Sequence, residues 1–208
     1  MTGLVLKIMQ AVLSYLILPT MAFLICFFFV LKYNTYLRTR WFAWFHSNIW
    51  NPVAEILTFN MKREHFEGLQ RMVSHDPDLR KEETIRILEI GAAHGCNLEF
   101  YPDKCRFIGV DPNPYFHSYF DKAHSLKKNQ HVVVEKLLCC GAEDMKDIPD
   151  NSVDAVTSTY VMCSVTSIQE TLKEILRVLT PGGKYYFFEH VTFPQRTWSK
   201  AIQEKFEP

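Results

Sequence analysis

The chain has 208 residues, enough for one ordinary domain and a short appendage. Its 23 basic residues balance 23 acidic ones, which excludes a global electrostatic pull toward nucleic acid, and no nucleic-acid partner is expected. The six cysteines form no C-x-x-C pair and the eight histidines no H-E-x-x-H, so the pattern argues against a disulfide framework or a metal site and for buried thiols in a reducing compartment.

The first element is apolar. Ile8 to Leu31 contains no charged residue, and as a helix this run of about 24 residues extends about 36 Å, enough to cross a hydrocarbon core of about 30 Å. A cleaved signal peptide would have a shorter apolar core and a small-residue cleavage site. Here the run continues through Cys26-Phe27-Phe28-Phe29-Val30-Leu31 into Lys32-Tyr33. Residues 1–32 therefore read as a retained membrane anchor. Lys7 stands on one side and Lys32, Arg38 and Arg40 on the other, a bias that places the body of the protein in the cytosol. Pro19 removes a backbone donor in mid-run and permits a kink or a re-entrant hairpin.

Residues 33–60 mix Trp41, Phe42, Trp44, Phe45, Ile49 and Trp50 with Arg38, Arg40, His46 and Asn48. This suits either an interfacial linker at the headgroups or an arm packed on the globular domain. Pro52 interrupts the segment, and a helix is predicted from Met61 to about His75, stopped by Asp76-Pro77-Asp78.

From Thr84 the period changes. Strands are predicted at 85–90, 107–110, 132–138, 153–158 and 185–188, and a helix at 168–179 with Leu172, Ile175, Leu176 and Leu179 on one face. Strands alternating with helices imply an α/β domain over 61–208 with a parallel sheet, whose ligand binds beyond the carboxyl ends of the strands. The informative residues fall there. Strand one ends in Glu89-Ile90-Gly91-Ala92-Ala93-His94-Gly95, whose glycines let the backbone approach a ligand closely. Strand two ends in Asp111-Pro112, with the carboxylate placed to accept both hydroxyls of a ribose. Gly141-Ala142-Glu143 follows strand three, Thr159 follows strand four, and His190 follows strand five. Each piece alone has a bland reading: a turn, a helix cap, a structural histidine.

Their order on successive strand ends resembles the class I S-adenosylmethionine-dependent methyltransferases, whose first motif is an acidic residue followed by Gly-x-Gly-x-Gly. Glu89, Gly91 and Gly95 match it. The resemblance is closer to a membrane-anchored group, the methyltransferase-like seven or thiol S-methyltransferase proteins. It is carried by Leu98 to Pro102, Val110 to Pro114, Gly141 to Met145, Met162 to Val165 and Phe188 to Val191, with the apolar N-terminus agreeing in character. The resemblance implies a Rossmann-like sheet and S-adenosylmethionine as cofactor. The cofactor would be held by Glu89, Gly91, Ala93, Gly95, Asp111, Pro112, Gly141, Ala142, Glu143 and Thr159, and His190 is the candidate base. It also implies a small lipophilic thiol as acceptor and residence at endoplasmic reticulum and lipid droplet membranes.

Two departures accompany it. Ala93 stands at the central glycine position, where a positive φ would strain it by roughly 1–2 kcal/mol. The sequence given ends at Phe206-Glu207-Pro208, before the sixth and seventh strands expected in that fold, which would leave strand five as an edge. Another small-molecule or lipid acceptor and a non-catalytic membrane scaffold are the competing readings. A nicotinamide dehydrogenase needs G-x-G-x-x-G, which residues 91–96 do not supply.

Overall fold

A computed structural model describes residues 2–191; the expected end of the domain, 192–208, lies outside the described residues. The chain divides into two compact units, Met1–Ile49 and Trp50–Pro208, so the second unit begins earlier than the expected boundary at residue 61.

In the first unit, α1 (Thr2–Val12), a π-helical turn (Leu13–Ile17) and α2 (Leu18–Tyr33) run on without a break. Together they give a helix, Gly3–Tyr33, of 31 residues that is long and apolar enough to cross a membrane. At 1.5 Å per residue it extends about 46 Å. Pro19 does not fold it into a hairpin. The proline lies in the first turn of α2, directly after the π turn, where the widened backbone absorbs its missing donor. Asn34 then leaves helical geometry and caps α3 (Thr35–Phe45) by accepting from Leu37 N at 2.9 Å.

The second unit opens with α4 (Asn51–Phe66), which corrects the helix predicted from 61 to 75. Pro52 sits in its first turn, directly after a π turn (His46–Trp50) that is already helical, so the widened backbone absorbs the missing N–H and the proline does not interrupt the segment as expected. A 3₁₀ turn (Glu67–Arg71) and the short α5 (Pro77–Lys81), capped by Asp76, lead into the sheet. Its strands are β1 (Ile85–Ile90), β2 (Cys105–Val110), β3 (Val132–Leu138), β4 (Val153–Thr159) and β5 (Leu179–Phe188). All neighbouring pairs are parallel, in the order β3-β2-β1-β4-β5, with α6 (His117–His124) and α7 (Ile168–Val178) among the connections. β5 begins well before the predicted Tyr185, because Leu179 already pairs with Val153. The Thr180–Gly183 stretch is absorbed as a register shift, with Gly182 at φ +84°.

The side-chain period of two divides the core. Ile85 and Ile87 pack with Phe66, Leu69 and Leu98 on the α4 face, whereas Leu88 and Ile90 pack with Met145, Ile148, Ile175 and Val178 on the α7 face. By the same period Glu89 falls on the α4 face. The strand order reverses at β1, so the ends of β1 and β4 flank a crevice of the kind that receives ligands in such sheets.

Candidate cofactor and acceptor site

The loop after β1 is held from three sides. Gly91 N and Ala92 N both donate to Val110 O, at 2.8 and 3.2 Å, which hooks the loop to the end of β2. Gly91 has φ +69°, and a Cβ there would run into Cγ2 of Val161, from the turn after β4. Gly95, at φ +77°, has no room for a side chain beside Leu98 and Phe120. Ala93 N donates to Asp111 Oδ2 at 3.1 Å, and Asn113 N to Asp111 Oδ1 at 2.8 Å. Each carboxylate oxygen thus carries one backbone donor and keeps a lone pair for a ligand. Burial pushes the Asp111 carboxyl above its ordinary value, against the pull of those two N–H groups.

Glu89 is 1% exposed, and burial raises its carboxyl to about 7, against the opposing influence of Asn97, Tyr101 and the Lys62 ammonium. Asn97 Nδ2 donates to Glu89 Oε1 at 2.5 Å and to Thr159 Oγ1 at 3.0 Å. One fully buried amide therefore joins the ends of β1 and β4. Glu89 Oε2 is buried without a hydrogen-bond partner among the described residues. An unmet buried acceptor, a glycine cradle that a Cβ would fill and a carboxylate with free lone pairs fit an adenosyl amino acid: ammonium, backbone approach and ribose respectively.

The remaining predicted residues divide. Pro112 is exposed in the turn after Asp111. Ala142 is buried in the core of the α7 face. Glu143 Oε1 accepts from Thr166 N and Ser167 N, so its carboxylate ties the β3 exit to the start of α7. Gly141 lies against that same side chain. His190 is exposed and stacks on Tyr160, with ring centroids 4.2 Å apart at 18°. Glu189 does not orient it; Glu189 Oε1 accepts from Ser158 Oγ, Val161 N and Met162 N on the other side. Tyr160, at φ +56°, also packs on Phe188, which meets His65 of α4, so an aromatic wall stands beside the crevice. Burial lowers the His65 pKa. Burial also pushes the Cys96 thiol up to about 12, which makes it inert at neutral pH. Among the described residues no group of His, Cys, Asp or Glu is arranged to hold a metal ion.

Sequence reasoning missed Asn97, Lys62 and Tyr160. Asn97 follows Gly95-Cys96 and could have been suspected as a polar residue opening a turn that is otherwise apolar. Nothing local marks the other two.

A family model described as a methyltransferase domain matches residues 88–187. Thiol S-methyltransferase TMT1B of Rattus norvegicus is 40% identical over 168 residues, covering 76% of this chain and 68% of that protein. The chain belongs to the thiol S-methyltransferase family. Human TMT1B, in the same family, is 41% identical over 124 residues, which are 60% of this chain and 50% of that protein. The chain thus spans half to about two thirds of the length of these relatives. Among solved structures, YcgJ from Bacillus shares the fold, with a TM-score of 0.52 at 19% identity over 70% of this chain and 57% of that one. The cofactor of this thiol S-methyltransferase family domain is S-adenosylmethionine.

The departure at Ala93 now has a geometry: φ is +44°, in the left-handed region. Ala93→Gly should relieve roughly 1–2 kcal/mol of strain, offset by up to about 1 kcal/mol from the freer unfolded chain. The melting temperature should rise by a few degrees. Affinity for S-adenosylmethionine, read by calorimetry, should rise with it, because the backbone can approach more closely. A gain in stability with no change in affinity would mean that the Cβ points away from the cofactor.

Proposed function

We propose that this chain is an S-adenosylmethionine-dependent methyltransferase whose acceptor is a small lipophilic thiol. Residues 1–32 anchor it, the aromatic segment up to residue 49 lies at the interface, and the domain that begins at Trp50 faces the cytosol at endoplasmic reticulum or lipid droplet membranes. The observation that carries the reading is the Glu89–Asn97–Thr159 bridge beside Asp111–Ala93 at the switch point, in a chain whose relatives are named thiol S-methyltransferases. The outer side of α4 supports a lipophilic acceptor: Val53, Ile56 and Leu57 are 58%, 82% and 74% exposed on the helix that packs beside the crevice.

When bound, the cofactor supplies a methyl group on a sulfonium. Held there, its sulfonium would give the methyl group in line to an acceptor thiolate and would leave as a neutral thioether. Asp111 would hold the ribose, the Gly91–Gly95 backbone and Glu89 would orient the amino-acid end, and Tyr160 and Phe188 would exclude water from the acceptor. His190, exposed at the end of β5, accepts the thiol proton and passes it to solvent.

The test uses the full chain in membranes, supplied with an alkyl thiol and its oxygen and nitrogen analogues. Methylated thiol should dominate, and removal of residues 1–32 should release much of the protein from membranes, with a residual, salt-sensitive attachment through the aromatic segment. Methylation of oxygen or nitrogen with the thiol idle would overturn the acceptor. Cofactor binding without transfer to any acceptor would favour a scaffold.

A further inference from the structure

Lys62 is 3% exposed, a rare state for an ammonium. Its place is fixed by its helix. Phe59 and Phe66, one turn to either side, both pack on Phe100, with ring centroids at 5.2 and 6.3 Å. Residue 62 therefore faces the turn that follows the Gly-rich loop, and Nζ lies 6.0 Å from the Phe100 ring centroid. Nζ donates to Glu55 Oε2 at 2.9 Å, two helical turns back, which occupies one of the three donors an ammonium carries. The other Glu55 oxygen is buried without a partner.

The charge of Lys62 is felt by Cys96 in the loop after β1, by Glu89 in β1 and by Tyr160 after β4. With Nζ against Phe100, in the turn that closes the loop after β1, the ammonium stands on the side of the loop where the amino-acid end of the cofactor is expected. Burial alone would drive it neutral. The negative groups around it, Glu55 foremost among the carboxylates, instead raise its pKa and keep it charged. A helix surface pair serving only the helix would gain little from this burial, because desolvating two charges costs several kcal/mol per ion unless further polar partners are met.

We propose that Lys62 binds the carboxylate of the methionine portion of S-adenosylmethionine, while Glu89 Oε2 receives its ammonium. The site is then complementary to a zwitterion: a buried cation with donors to spare stands beside a buried carboxylate with an unmet acceptor. This rests on the cofactor identity, and it adds a residue from outside the strand ends, on the helix that precedes the sheet. Lys62 belongs to the binding machinery and touches no reacting atom.

The experiment compares two nucleosides by calorimetry on the full chain in detergent. S-Adenosylhomocysteine carries the amino-acid end; methylthioadenosine lacks it. Lys62→Met should weaken S-adenosylhomocysteine roughly 10- to 100-fold, the loss of a charge-assisted contact, and leave methylthioadenosine nearly unchanged. Lys62→Arg should restore most of the difference. Because Lys62→Met strands Glu55 in the interior, the double variant Lys62→Met/Glu55→Leu, which removes both charges, should show the same selective loss if the single variant does not fold. An equal loss for both nucleosides would reduce Lys62 to a packing role, and unchanged affinity for S-adenosylhomocysteine would also overturn the assignment. A wild-type chain that binds neither nucleoside would overturn the placement of the cofactor itself, which separates the two failures.

Discussion

Glu89→Gln is expected to stabilise the protein at about pH 8 by about 3 kcal/mol while weakening its hold on S-adenosylmethionine. The unfolded carboxyl titrates near 4.5 and the buried one at about 7. Between those values the folded state keeps a proton that the unfolded chain has lost. Stability is therefore full below 4.5, falls as pH rises, and is lower by about 3 kcal/mol above 7, at 1.36 kcal/mol per pKa unit. Glutamine imitates the protonated acid at every pH. It can still accept from Asn97, which now donates to Glu89 Oε1. Denaturant unfolding at about pH 5 should give similar values for the two proteins, and at about pH 8 the variant should be clearly more stable. Binding should move the other way, since an amide cannot pair with the cofactor's ammonium. In the wild type, binding below about pH 7 should release a proton as the carboxyl ionises beside that ammonium. Calorimetry in buffers of different ionisation enthalpy reads this directly. A wild-type stability that is flat between pH 4.5 and 7 would mean that Glu89 is not held protonated.

The strands were legible because a buried parallel sheet writes itself as short apolar runs, and 85–90, 132–138 and most of the others fall where that pattern puts them. The strand-end residues were legible for a related reason. Glycines and an aspartate after successive apolar runs stand out by their order, and the loop that carries Gly91 and Gly95 does meet Asp111, through Ala93 N. The partners of Glu143 and Glu189 were not legible. Both carboxylates serve backbone N–H groups more than twenty residues away, on elements whose approach no local period encodes. Lys62 reads in sequence as a solvated helix residue. Only the packing of Phe59 and Phe66 on Phe100 turns it inward. Pro52 misled because a π turn directly before it lets the helix accept a proline, and no local pattern announces such a turn.

These long-range ties give the site a common design. Asn97 joins β1 to β4, Asp111 joins β2 to the loop after β1, and Glu189 joins the end of β5 to the turn after β4. Each strand end that meets the crevice is pinned by a polar side chain from another. Loops fixed in this way need little reordering on binding, which preserves affinity.

Asp111→Ala is therefore expected to do more than remove two ribose contacts. The proposed contacts would be charge-assisted, and losing them should cost roughly 1–3 kcal/mol, about 5- to 150-fold in affinity. The same substitution also leaves Ala93 N and Asn113 N without their acceptor, and so frees the residue that already holds φ +44°. Stability should fall by about 1–3 kcal/mol from those two unmade bonds. Asparagine is no gentler at this position. One of its two terminal atoms is a donor, and both Asp111 oxygens face an N–H, so one side of the amide must oppose a donor whichever way it turns. The two consequences separate with a ligand that lacks a ribose hydroxyl. Wild-type protein should bind 2′-deoxy-S-adenosylhomocysteine more weakly than S-adenosylhomocysteine, and Asp111→Ala should bind the two alike, because the group that told them apart is gone. Loop loosening would then appear as the further, equal loss shared by both ligands. If the variant still prefers the intact ribose by the wild-type factor, Asp111 acts through the loop alone, and another group must read the sugar.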